Sequence, residues 1–247
     1  MTWPSFVSEV STCVDSSVTV SVWFIPASSS RTSLDSIAEF ANLQEQVNPY
    51  NYRQEYGLSA FDIRNDVVFS YNYEVPLGRL FHTKSGIAQG WALSGITRFA
   101  SGLPVTFASF GDNALMGVGN NGVNGVSIDL PNVAPGNLAI NSNPRNGLPY
   151  FNTSLFTPNA LGTQGNASRR FFFGPGMDNY DMALHKITRL GESRTLEIRF
   201  ETFNTFNQAQ FFGPNAVNGN IDSATFGYVT QAASPRISQA AAKFTFQ

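Results

Sequence analysis

Charge is scarce in this chain. Only 13% of its 247 residues are Asp, Glu, Lys or Arg, about half the share usual in a soluble globular domain, so something other than charge must cover the outer surface. The net charge of -2 excludes the positive footprint that would neutralise a nucleic-acid backbone or hold an anionic membrane surface. Cysteine is represented by Cys13 alone, which rules out an internal disulfide and leaves nothing for a thiolate metal site. The two histidines, His82 and His185, have no second ligand at metal-binding spacing, and no GxSxG elbow offers a nucleophile. The expectation is therefore no catalytic residue, no cofactor-binding residue, no metal ligand and no enzyme activity. Gly117 to Gly125, GVGNNGVNG, lacks the Asp residues of a calcium loop and reads as flexible.

Long hydrophobic runs are missing as well. Nothing approaches the roughly 20 apolar residues of a membrane-spanning helix; the best run, Val18 to Ala27, is short, alternates with Thr19 and Ser21, and contains Pro26. Met1 to Ser30 contains no Lys or Arg, so no secretory signal begins the chain. Export would require a signal upstream, and a truncated N-terminus is the expectation.

What the chain does have is aromatic residues and a period of two. Phe occurs 22 times. In the last stretch, Arg236 to Phe246, Ser238, Ala240, Ala242, Phe244 and Phe246 share one face while Gln239, Lys243 and Thr245 share the other. From Arg194, Leu196, Ile198 and Phe200 alternate with Glu197, Arg199 and Glu201. Tyr180, Met182 and Leu184 alternate with Asp181, Ala183 and His185, and only Gly191-Glu192-Ser193 separates these two runs, which reads as a tight hairpin. Val67, Phe69, Tyr71, Tyr73 and Val75 form a further strand that ends at Pro76, and Trp91 to Ala100 places Trp91, Leu93 and Phe99 opposite Ser94 and Arg98. Apolar-outward, polar-inward strands ending on a terminal aromatic are the pattern of a transmembrane β-barrel. A half-solvated sheet in a soluble protein shows the same alternation, so a secreted β-sandwich that binds carbohydrate is the alternative, with Phe69, Tyr71 and Phe200 buried between two sheets. A β-rich hydrolase would need a convergent acid/base or metal cluster, and none is legible.

Between the strands, Leu34 to Ala60 is polar, with a short helix expected over Ser36 to Gln46. Ser101 to Asp178 is rich in Gly, Asn and Pro, with short strands expected at Val105 to Phe110 and Leu138 to Ile140. That segment is too long for an ordinary hairpin loop, but outer-membrane barrels pair short periplasmic turns with long extracellular loops. Arg169 and Arg170, before Phe171, Phe172 and Phe173, are expected at the outer interface, with contact to a ligand phosphate or carboxylate as the alternative.

YGLSAFDIRNDVVFSYNYEVPLG, GWALSGITRFASGLPVTF, YFNTSLF, GNASRRFFFGPGMDNYDMALHKITRLGESRTLEIRFETFNTFNQAQF and SATFGYVTQAASPRISQAAAKFTFQ, in this order, closely resemble the C-terminal barrel portion of TonB-dependent, Oar-like outer-membrane receptors. FNTFNQAQF, Phe203 to Phe211, resembles their penultimate-strand motif. The likeness covers residues 34–247, while 1–33 stand unmatched and are either artefactual or a divergent strand around Val18 to Ile25. The resemblance implies an all-β, antiparallel transmembrane barrel, here only its last several strands, in the bacterial outer membrane. It also implies energised uptake of an unidentified bulky ligand by a receptor of about 22 strands whose plug and N-terminal strands are missing from this chain. TonB would act only through that missing plug, the remaining partner being outer-membrane lipid; no nucleic acid is expected. Such a portion alone should not transport.

With Phe246 at the periplasmic side, the topology follows. Gly191 to Ser193 and Pro76 to Gln89 are periplasmic, Ser101 to Met177 and Asn207 to Pro235 are extracellular, and Tyr73, Trp91 and Phe246 share the inner aromatic girdle. The readable runs give five or six strands, an arc too small to close when the smallest bacterial barrels need about 8. Exposed edges beside an apolar face are a template for aggregation. Cytoplasmic expression is accordingly expected to give inclusion bodies that dissolve only with detergent; a monodisperse, detergent-free monomer with a cooperative thermal transition would contradict this reading.

Overall fold

A computed structural model describes the backbone of residues 8–15, 18–26 and 34–35, and residues 56–246 except 84, 110, 112, 116–128 and 192. The helix expected over Ser36 to Gln46 and the glycine loop from Gly117 to Gly125 lie outside the described residues.

One antiparallel sheet dominates. Its seven strands are β1 (Ser8–Asp15), β2 (Val18–Pro26), β3 (Asn65–Val75), β4 (Trp91–Ala100), β5 (Met177–Arg189), β6 (Arg194–Phe203) and β7 (Ile237–Phe246), and each pairs with its neighbours in chain order. Every connection is therefore an up-and-down step. Five strands coincide with the period-two runs of the sequence. Two more, β1 and β2, carry the count past the five or six legible there, and β2 covers the strand considered at Val18 to Ile25. Among the described residues no pairing joins β7 to β1, so the sheet is an open arc.

The register explains why the alternation works. Val75, Trp91, Lys186, Ile198 and Ala242 form one cross-strand row, and Tyr71, Gly95, Met182, Thr202 and Ser238 form another. Residues in one row point to the same side of a sheet. The two rows are an even number of residues apart on each strand, so they share a face. That face collects Phe69, Tyr71, Leu93, Phe99, Tyr180, Leu184, Leu196, Phe200, Phe244 and Phe246; the other collects Asp66, Asn72, Ser94, Arg98, Asp181, His185, Glu197, Arg199, Glu201 and Lys243. The apolar face is left largely uncovered. Phe69 and Tyr71 are only half-buried and Phe200 is 49% exposed, so the burial that a sandwich requires is not found.

The strands are also staggered. β3 and β4 stop at the first row, whereas β6 and β7 continue past it to Arg194 and Phe246; at the opposite end β3 and β4 extend further than β6 and β7. A slide of the same sense at both ends is the shear of tilted barrel strands. At a tilt of about 40° and a spacing of about 4.8 Å, three strand steps change height by roughly 9 Å, close to the height of about 10 Å that β7 gains below Ala242 at the same tilt. Trp91 and Phe246 thus lie at one end of the sheet and near one level.

Gly95 sits where β4 needs it. A Cβ there would approach the Tyr71 hydroxyl to 2.4 Å and the Asp181 carbonyl oxygen to 2.6 Å, so the Tyr71 ring lies across the bare backbone of its cross-strand partner. An aromatic covering a strand glycine restores the packing that glycine lacks.

The long segments 101–176 and 204–236 leave the same end of the sheet and fold together into a cap. Phe107, fully buried, is its centre: it stacks on Phe156 at 4.8 Å and Phe171 at 5.2 Å, and meets Phe151, Phe172 and Phe226 between 5.5 and 6.3 Å. Phe226 belongs to the second segment. Backbone bonds stitch the two together, from Ala108 N to Gly219 O (3.1 Å), Ile221 N to Ala108 O (3.0 Å) and Tyr150 N to Gly227 O (2.7 Å). Gly219 permits this approach, since a Cβ there would fall 1.8 Å from the Thr106 carbonyl oxygen. Among the described residues, the strands expected at Val105 to Phe110 and Leu138 to Ile140 do not form. The first region makes only isolated bridges at Pro104, Ala108 and Ser109, and in the second Ala139 adopts φ 46°, incompatible with a strand; the short paired strands are Asn132–Val133 and Phe156–Thr157 instead.

Replacing a buried Phe by Ala costs about 3–5 kcal/mol. Phe107→Ala should therefore loosen the cap while leaving the sheet intact. Limited proteolysis of the detergent-solubilised chain tests this, with rapid cleavage in 101–176 expected for the variant and slow cleavage for the parent; equal rates would show that the ring cluster does not hold the cap.

Candidate functional site

The polar face of β4 to β7 carries a continuous chain of contacts. The Ser94 hydroxyl lies 2.9 Å from His185 Nε2, and His185 Nδ1 lies 3.8 Å from Glu197. Arg199 bridges Glu197 at 3.1 Å and Glu201 at 3.3 Å, and the Gln239 amide donates to Glu201. These residues alternate with apolar ones, so a period of two gathers them all on one side. Arg98 makes a two-pronged pair with Asp66, at 2.7 and 2.9 Å, on the same face nearer the cap. Alternating acids and bases leave the wall polar with little net charge, the lining expected of a water-filled lumen. His185 belongs to this lining, as the alternation implied. His82 stands apart in an exposed turn with φ 50°. Among the described residues no group of three His, Cys, Asp or Glu could hold a metal ion, and no helix is long and apolar enough to cross a membrane.

The cap leans over this face. Phe212, in the second long segment, lies 6.0 Å from the Arg98 guanidinium. The base of the cap is fixed by the FNTFNQAQF segment, whose polar residues act as a clip. Asn204, buried and at φ 51°, ends β6 earlier than the alternation alone implies, because a left-handed residue cannot continue a strand. Its backbone N–H donates to Asp181 at 2.8 Å, and its side-chain amide donates to the Gln208 carbonyl at 2.8 Å and accepts from Gln208 N at 3.0 Å. Asn207, at φ 52°, accepts from Arg236 N at 3.0 Å and so sets the start of β7. Gln210 closes the set by exchanging two bonds with the backbone of Asp178 at the start of β5. The motif thus joins three strands at one point. Asn and Gln at left-handed and buried positions were the available signal, but their partners are remote in sequence.

Two expectations for the cap need correction. Arg169 and Arg170 are not at an outer interface and are not offered to a ligand: they are 1% and 2% exposed. Arg170 donates to the Thr106 hydroxyl at 2.9 Å and the Leu58 carbonyl at 3.3 Å, tying the cap to the chain ahead of β3. Burial of these guanidinium groups is stabilised by such bonds. Tyr150 lies in the same core, donates to the Phe173 carbonyl at 3.3 Å, and burial pushes its phenol pKa above the ordinary value. A depression between the two segments of the cap, lined by Leu103, Val105, Pro175, Phe211 and Val217, encloses only about 10 Å³, room for about one water molecule.

An antiparallel wall with one uncovered apolar face, a polar and charge-paired opposite face, tilted strands, and long segments massed at one end defines a transmembrane β-barrel protein. Residues 29–239 match the family model for an outer membrane beta barrel domain. The chain belongs to that family, and its place is the bacterial outer membrane with its apolar face against lipid. No curated protein and no solved structure matches it.

The two faces should respond differently to charge. Ile198 lies on the apolar face and Arg199 on the polar one. Ile198→Arg puts a charge on the lipid face, which costs up to about 2–4 kcal/mol toward mid-membrane depth, whereas Arg199→Ala removes two exposed ion pairs that contribute little in water. Urea titration in lipid vesicles checks the difference; similar losses from both would contradict a lipid face.

Proposed function

We propose that the chain is the C-terminal part of the barrel of a TonB-dependent, Oar-like receptor, non-catalytic, and able to take up a bulky ligand only together with further strands and a plug. The observation that carries this reading is the asymmetry of the molecule: a four-residue connection, 190–193, at one end of β5 and β6, and at the other end two long segments folded into one cap above the polar wall. Loops that hold a defined shape over a lumen suit a receptor that must recognise something before admitting it, and a small open pore has no need of them. The seven-strand arc agrees with a large barrel, because its pairing continues uninterrupted and, among the described residues, no pairing joins its two end strands.

The neighbouring upstream DNA, read in all frames, provides the first test, and a plug-encoding region followed by further period-two strands is expected. Uptake provides the second. Cells producing the complete polypeptide should accumulate its ligand in a TonB-dependent manner, and a protonophore that collapses the inner-membrane gradient should abolish accumulation. Uptake indifferent to both TonB and the protonophore would point to a passive porin.

A further inference from the structure

Lys186 is out of place by the alternation that orders the rest of β5, since it shares the lipid-facing side with Leu184, Ile198 and Trp91. It is nonetheless buried. The cover is the connection between β3 and β4: Lys186 Nζ donates to the Gly86 carbonyl at 2.7 Å and to the Gln89 carbonyl, and its ammonium lies 5.4 Å from the centre of the Trp91 ring. Trp91 Nε1 in turn donates to the Ile87 carbonyl at 2.7 Å. Three carbonyls of 86–89 are thus held by two side chains that point away from the lumen. The connection accordingly folds under the lipid-facing side of the wall, not beneath the lumen.

This segment also displays apolar side chains that nothing among the described residues covers. Ile87 is 80% exposed, and Leu80 and Phe81, in and just after the short helix Leu77–Leu80, are each 68% exposed. The helix packs on the same segment, since a Cβ at Gly78 would lie 3.6 Å from the Gln89 side chain. The geometry points to an interfacial foot: residues 77–83 and 85–90 lie in the headgroup layer of the inner leaflet, with Leu80, Phe81 and Ile87 dipping toward the acyl chains. The occupant of this surface is phospholipid, because the patch continues directly from the lipid face through Trp91 and Lys186. Aromatic and long basic side chains gather at that level for the same reason, having an apolar body and a polar tip. Trp91 and Lys186 serve here as positioning residues for the foot.

The inference rests on the lipid face of the wall, and its test separates the two. In a Cys13→Ser background, Phe81→Cys, Ile87→Cys and Phe200→Cys are each labelled with an environment-sensitive nitrobenzoxadiazole dye and reconstituted into phosphatidylcholine vesicles. Label at 81 and 87 should emit at blue-shifted wavelengths and be quenched several-fold more by lipid carrying a nitroxide near the glycerol than by lipid carrying one at the chain end. Label at 200, on the lipid face and farther from the foot, should show the opposite depth preference. Water-like emission at 81 and 87, with 200 still quenched, would overturn the foot alone; an unquenched 200 would overturn the foot and the lipid face together.

Discussion

Hydrocarbon offers no hydrogen bonds, and that single constraint organises the molecule. Every N–H and C=O within the membrane must be satisfied by another strand, which is why each of β2 to β6 is paired on both sides over most of its length. The same requirement fixes the register. A slip of one residue in the pairing of β6 would turn Glu197, Arg199 and Glu201 toward lipid and Leu196, Ile198 and Phe200 toward the lumen. It also makes β1 and β7 the unfinished parts of the wall, because one side of each lacks a partner among the described residues, and every residue of β7 is exposed. Pairing those edges would satisfy their free backbone groups, so closure and folding are one problem in this protein.

Outside the membrane the constraint relaxes and a different force takes over. The cap is the only place among the described residues where a cluster of large side chains is fully withdrawn from solvent, and aromatic burial holds it together much as in a small soluble domain. Its attachment to the wall, by contrast, is polar: Asn204 and Gln210 bond to β5, Asn207 fixes Arg236 ahead of β7, and Arg170 reaches Leu58 ahead of β3. An aromatic chain from Phe69 through Phe99 and Tyr180 to Phe206, with ring centres 5.0 to 6.1 Å apart, runs along the outer face just below this junction. Trp91, Tyr73, Phe244 and Phe246 occupy the other end. The wall is thus banded by aromatics at both levels, consistent with a slab of hydrocarbon between them.

The wall was readable from the sequence because its physics is local. In β3, β6 and β7 each residue's neighbour two positions away lies on the same face, so the solvent on each side is written directly into the chain. Direction and pairing followed from the turn at Gly191 and from Pro76. The cap resisted reading for the opposite reason. Phe107, Phe151, Phe172 and Phe226 meet from positions scattered through Gly- and Asn-rich sequence with no period, and Arg169 and Arg170 looked like surface residues because their partners are backbone and hydroxyl groups far along the chain. β1, with Glu9, Cys13 and Asp15 among small polar residues, carries too weak an alternation to stand alone. Lys186 contradicts the alternation outright, and only the path of the connection between β3 and β4 explains it.

The central claim is that one side of this sheet meets lipid and the other meets water. Nitroxide side chains placed one at a time from Leu196 to Glu201, in a Cys13→Ser background reconstituted into vesicles, measure it directly through collisions with oxygen, which concentrates in the bilayer, and with a polar nickel chelate, which does not. The account predicts accessibility with a period of two: oxygen contact highest at 196, 198 and 200, and nickel contact highest at 197, 199 and 201. Uniform accessibility along the strand, or the same period with the two reagents exchanged, would contradict it.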